Sequence, residues 1–162
     1  MELYLLRHGI AEDPRPGQRD AERALVPEGE EKLRQLLRLA HRAGVAPSLI
    51  LSSPFVRARQ TATIAARELE YSSKILETDA LTPLGRPDEV WQELRLYRNE
   101  PSILLASHEP LTGQLAAYLL RSPALQIDVK KGSLIRIDLD YLGSEPRGVL
   151  RWMLTPKLAA AS

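Results

Sequence analysis

The sequence predicts an α/β fold: a three-layer α/β/α sandwich around a mainly parallel central sheet. Three observations carry this. Short apolar runs alternate with longer stretches of helical periodicity through most of the chain. Three of those runs end on polar turn residues, the places where parallel sheets build their sites. The last two runs alternate in the manner of antiparallel strands closing the sheet.

The elements follow in order. Leu3–Leu6 is an apolar run that reads as a buried strand and ends at Arg7-His8-Gly9. Residues 10–26 hold two prolines, a glycine and many charges, and read as a long loop, of the kind that is usually functional or disordered. Pro27 opens a helix, with Leu33, Leu36, Leu37 and Ala40 at helical spacing and Gly44 as its stop. Leu49–Leu51 is a second strand, and Ser53-Pro54 reads as a cap and first residue of the next helix. Ala58, Ala62, Ala65 and Leu69 give that helix a small-residue stripe. Lys74–Glu77 is a weak strand, Asp88–Arg98 a helix, and Ser102–Ala106 a third buried strand. Ser107-His108-Glu109-Pro110 leads into a helix with Leu111, Leu115, Tyr118 and Leu119 on its buried face. Leu134–Leu139 and Gly148–Leu154 are late antiparallel strands, and the tail after Pro156 reads as loose.

At 162 residues, with no repeat or linker, the chain reads as one domain over 1–162. A hydrophobic fraction of 44% and a charged fraction of 27% are those of a globular protein. The net charge of +1 gives no case for nucleic acid or an anionic membrane as partner. No stretch is apolar for long enough to span a membrane, and no secretory leader is evident, so a cytoplasmic location is expected. The absence of cysteine excludes disulfides, thiolate metal sites and a cysteine nucleophile.

Two of the three histidines, His8 and His108, stand at strand ends; His41 falls late in a helix, where a surface histidine is ordinary. Taken singly, Arg7 is a strand-end arginine, Arg57 a helix-face arginine, and each histidine a structural one. Together they form a dense positive cluster in a nearly neutral protein, costly unless an anion fills it. Arg57 falls in the first turn of its helix, where backbone N–H groups already favour an anion. Arginine forks suit phosphate oxygens, and histidine can form a covalent phosphoryl intermediate. The expected ligand is therefore a phosphoryl group, with phosphate or sulfate able to stand in for it.

On these residues the chain resembles the histidine phosphatase superfamily, with its phosphoglycerate mutase-like fold, and within it the small SixA-type phosphohistidine phosphatases. The resemblance rests on Leu-Arg-His-Gly at 6–9, Arg-Ala-Leu-Val-Pro-Glu-Gly at 23–29 and Ser-Ser-Pro-Phe-Val-Arg-Ala-Arg-Gln-Thr-Ala at 52–62. Leu-Thr-Pro at 81–83, Ser-His-Glu-Pro-Leu at 107–111 and Trp-Met-Leu-Thr-Pro at 152–156 extend it along nearly the whole chain. It implies His8 as the nucleophile that becomes phosphorylated. Arg7, Arg57 and His108 are then the rest of the phosphate pocket, with Arg23 beside it. It implies no metal or cofactor, and a phosphohistidine-bearing protein, such as a phosphotransfer domain, as partner. Val26 departs from the threonine of many relatives and cannot cap the first helix. Larger relatives place an acidic residue in an insertion after the second helix. Here the segment is short, Asp79, Asp88 and Glu89 are the nearest candidates, and an open, shallow pocket is expected.

Three other readings compete. A phosphatase or mutase of the same superfamily acting on small phosphoesters would use the same residues. A phosphoprotein-binding module would have no use for an intact His8. A metal hydrolase built on His8 and His108 with Glu12, Asp13 or Glu109 would set a cation against two arginines and lacks a usual zinc set.

Overall fold

The computed structural model describes all of residues 1–162. Six strands form one sheet: β1 (Glu2–Arg7), β2 (Leu49–Ser52), β3 (Leu76–Glu77), β4 (Ser102–Ser107), β5 (Leu134–Leu139) and β6 (Gly148–Leu154). Their spatial order is β3-β2-β4-β1-β5-β6. β3, β2, β4 and β1 run parallel, while β5 and β6 are antiparallel to their neighbours. Five helices accompany them: α1 (Pro27–Arg42), α2 (Val56–Glu68), α3 (Pro87–Arg95), α4 (Leu111–Leu119) and α5 (Pro156–Ala160).

The pleat sorts the core into two halves. From β1, Leu3 and Leu5 join a cluster with Trp91 and Leu94 of α3 and Leu111 and Leu115 of α4. Tyr4 and Leu6 point the other way, against Leu33 and Leu37 of α1, Ala62 and Ala65 of α2, and Ala159 of α5. Helices therefore cover both faces. The chain leaves β1 toward the α1 face and leaves β4 toward the α4 face, and these strands are neighbours. That reversal opens a crevice at their carboxyl ends, where parallel α/β sheets bind ligands. His8 and His108 are the residues that follow the two strands.

Three expectations are corrected. Ser53 does not cap α2: the helix starts at Val56, and Phe55 stands at the cap position with no side-chain bond. The Ser53 hydroxyl is engaged instead by His108 and by the Phe55 N–H. The tail is not loose. Thr155 accepts the Leu158 N–H at 3.2 Å, Pro156 opens α5, and Ala159 is buried against the α1 side of the core. Thr155-Pro156 is the same cap-then-proline signal that starts other helices. The third helix also begins and ends earlier than expected, over Pro87–Arg95 rather than 88–98. Val26 does stand at the α1 cap position with no side-chain cap bond, and Glu28 and Glu30 place negative charge in that first turn.

Candidate active site

The site is built where β1, β2 and β4 end. The His8 N–H donates to Ser107 O at 2.9 Å, and the Gly132 N–H donates to His8 O at 3.0 Å, so the backbone is held from two sides. Helix α1 passes very close to this turn. A Cβ on Gly9 would meet Leu33 Cδ1 at 2.7 Å, and one on Gly29 would run into the Ile10 backbone. Gly29 is therefore required by packing, while a side chain at Gly9 would have to push Leu33 aside. The Gly9 N–H also donates to Thr61 Oγ1 at 3.2 Å, and that hydroxyl donates to Arg57 O at 2.7 Å, tying the turn to α2.

His8 Nδ1 lies 2.7 Å from Gly9 O. A carbonyl only accepts, so Nδ1 carries the proton and Nε2 keeps its lone pair. Arg57 Nε donates toward that Nε2 at 3.3 Å. Burial, at 6% exposure, pushes the His8 pKa down to about 4, and the charges of Arg57, Arg7 and Lys131 push the same way. The His108 ring lies 5.1 Å from that of His8. Its Nε2 shares a hydrogen bond with Ser53 Oγ at 2.8 Å, while its Nδ1 is buried without a partner. Burial first, then His8 and Arg57, lower its pKa to about 3. Both rings are neutral near pH 7.

Arg57 is held firmly. Its Nη1 donates to Asp20 O at 2.8 Å and its Nη2 to Asp20 Oδ2 at 3.0 Å. Arg23 Nε meets the other carboxylate oxygen of Asp20 at 2.8 Å, and its Nη1 donates to Glu12 O at 2.7 Å. Arg7 donates from Nη1 to Val129 O at 2.6 Å, and its Nε is buried without a partner. The structure thus bonds Arg57 to His8, sets the His108 ring 5.1 Å from that of His8, places Arg7 close enough for its charge to be felt at both rings, and reaches Arg23 through Asp20.

The residues that sequence reading missed are Asp20, Ser53 and Thr61. Burial alone would raise the Asp20 carboxyl, but the Arg23 and Arg57 guanidiniums outweigh it and hold it below the ordinary carboxylate range. Asp79, Asp88 and Glu89 are all exposed, and Asp88 pairs with Arg86 at 2.8 Å. None of the three bonds to a site residue. His8 and His108 are themselves only 6% and 1% exposed, and the Asp20–Glu22 turn packs against α2. The carboxylates weighed for a metal are engaged elsewhere or exposed. Glu109 accepts the Gly113 N–H at 2.7 Å, Glu12 accepts the Ala24 N–H at 3.1 Å, and Asp13 faces solvent. No three His, Asp or Glu side chains gather in a metal-binding arrangement.

Two expectations follow from this geometry. Arg57→Ala should lower kcat/KM at least about tenfold, since a charge-assisted bond to a phosphoryl oxygen is worth about 1.5–3 kcal/mol. Full activity in that variant would remove Arg57 from the site. The second concerns pH. Unfolded histidines titrate near 6.5, so from about pH 6.5 down to about 4 for His8 and about 3 for His108 the unfolded chain binds protons that the buried rings refuse. The stability they confer is present above pH 6.5 and is lost as pH falls through that window. Melting temperature should drop across it, and NMR titration should show both rings protonating below pH 5. A pKa near 6.5 at His8 would contradict this reading.

The family model described as histidine phosphatase superfamily, branch 1, matches residues 3–82. A phosphohistidine phosphatase SixA homolog of Haemophilus influenzae is 33% identical over 128 residues, covering 74% of this chain and 77% of its own. The phosphohistidine phosphatase SixA of Escherichia coli is 28% identical over 158 residues, covering 96% of this chain and 94% of its own. A solved structure of the protein histidine phosphatase SixA complexed with tungstate aligns with a TM-score of 0.85 at 27% identity, covering 97% of this chain and 98% of that one. Sequence and fold agree over almost the whole length, and the chain belongs to the histidine phosphatase superfamily, in its SixA-like group.

Proposed function

We propose that this chain, as one catalytic domain over residues 1–162, is a cytoplasmic phosphohistidine phosphatase that works through a phosphoryl group carried on His8. The observation that carries the reading is the state of His8. Its ring is neutral, its tautomer is set by Gly9 O, and the lone pair of Nε2 lies beside Arg57. That is the state a nucleophile requires.

The steps follow from these groups. The His8 Nε2 pair forms a bond to phosphorus while the bond from phosphorus to the substrate ring nitrogen breaks. The substrate ring, protonated on its other nitrogen, leaves as neutral imidazole. Water then attacks phosphorus, the electron pair returns to Nε2, and inorganic phosphate departs. Arg57, Arg7 and Arg23 balance the phosphoryl charge, and His108 Nδ1 supplies a further contact. Asp20 is the anion that answers Arg57 and Arg23, so an arriving phosphoryl group exchanges with its carboxylate for the same forks. No step requires a metal, so chelator should leave the rate unchanged. The tungstate held by the solved SixA is an oxyanion of the same class as phosphate, in support of an anion pocket.

A side-by-side assay on a phosphohistidine protein, a phosphohistidine peptide, sugar phosphates and a phosphoserine peptide tests the proposal. Phosphohistidine should lead in kcat/KM. A sugar phosphate in that place would replace it with small-phosphoester hydrolysis.

A further inference from the structure

The chain has five lysines among its twenty-two basic residues, and four of them line one cleft. Lys32 comes from α1, Lys130 and Lys131 from the loop before β5, and Lys157 from α5. The cleft holds about 780 Å³, and its lining includes Arg7, the residue before His8. The link to the site is direct. Lys131 precedes Gly132, whose N–H reaches Arg7 O and His8 O at 3.2 and 3.0 Å, and its charge is among those felt at His8. Lys32 pairs with Glu28 at 3.0 Å and Lys130 with Asp128 at 2.9 Å. Lys131 and Lys157 are exposed and make no ion pair.

We infer that this cleft docks an acidic segment of the protein that carries the phosphohistidine. The inference extends the proposed function from the phosphoryl group to the chain that bears it. Arg7 and four lysines line the cleft against a single carboxylate, Asp128, and flexible ammonium groups recognise charge without demanding one geometry. The cleft is far roomier than one phosphate needs, and it shares Arg7 with the phosphoryl site. A chain whose phosphohistidine reaches His8 lays its flanking residues across it. Aspartate and glutamate there would be steered in and held.

The test uses the intact protein and a fluorescent Glu-rich peptide without phosphate, so it needs no turnover. The peptide should bind, a Gln-for-Glu copy should not, and roughly 0.3 M salt should weaken binding severalfold. Lys32→Gln with Lys130→Gln and Lys157→Gln should lower affinity roughly tenfold, as three exposed charge pairs would. Equal binding of the neutral copy, or unchanged affinity in the triple variant, overturns the inference. So does a small dicarboxylate or bisphosphate competing at the peptide's own concentration, which makes the cleft a small-anion site. Binding without phosphohistidine turnover would sink the proposed activity and leave the cleft standing; turnover without binding would do the reverse.

Discussion

A phosphohistidine peptide should be cleaved about 10²–10⁴ times faster, in kcat/KM, than a phosphoserine peptide of the same sequence, the range a positioned general acid typically contributes. The leaving groups explain the gap. Imidazole departs neutral, and its conjugate acid has a pKa of about 6.5. A serine alkoxide resembles hydroxide, whose parent water has a pKa of about 15.7, and it needs a proton as it leaves. The carboxylate bonded to the site arginines is Asp20, which Arg23 and Arg57 hold ionised. Asp79, Asp88 and Glu89 stand exposed without a bond to the site. Aryl phosphates with good leaving groups should be accepted, because they need little proton help. Comparable rates on the two peptides would show that a proton donor operates, and Asp20→Asn would then be the first variant to make.

His8→Ala should lower turnover by roughly 10³-fold or more on every substrate, since it removes the nucleophile and leaves only positioning and charge stabilisation. Phosphate binding should survive better than turnover, because Arg57, Arg7 and His108 remain. The size of the loss follows from burial. No other ring nitrogen in the crevice is both unprotonated and beside the Arg57 guanidinium at 3.3 Å. His108 cannot easily take over, with its Nε2 already bonded to Ser53 Oγ. Retention of a tenth of the activity in His8→Ala would shift the chemistry to another group.

Much of this was legible in the residues. The buried runs of β1 and β4 are apolar enough to be placed from sequence, and their ends identify His8 and His108 directly. Helix α1 announces itself through Pro27, its leucine spacing and Gly44, which adopts a left-handed φ of 89°. What could not be read depends on contacts between distant segments. Asp20 sits in a loop with no periodicity, and it meets Arg57 only because the chain folds 37 residues back. The signal available was its place three residues before Arg23, which permits the Arg23–Asp20 pair. Ser53-Pro54 has the composition of a helix start, yet the tertiary bond of Ser53 to His108 outweighs local capping. The order of the tail depends on α1 being present to bury Ala159, which no local pattern reveals. The lysine cleft likewise joins α1, a loop and α5, and its lysines are scattered from 32 to 157 in sequence.

The central claim is that His8 carries the phosphoryl group, and trapping it is the direct measurement. The intact protein is mixed briefly with a radiolabelled phosphohistidine peptide, quenched without acid to preserve the N–P bond, and mapped by peptide analysis. The account predicts a labelled His8, phosphorylated at Nε2 because Nδ1 is committed to Gly9 O, and no label in His8→Ala. A label that persists in that variant, or that maps to any other residue, would contradict it.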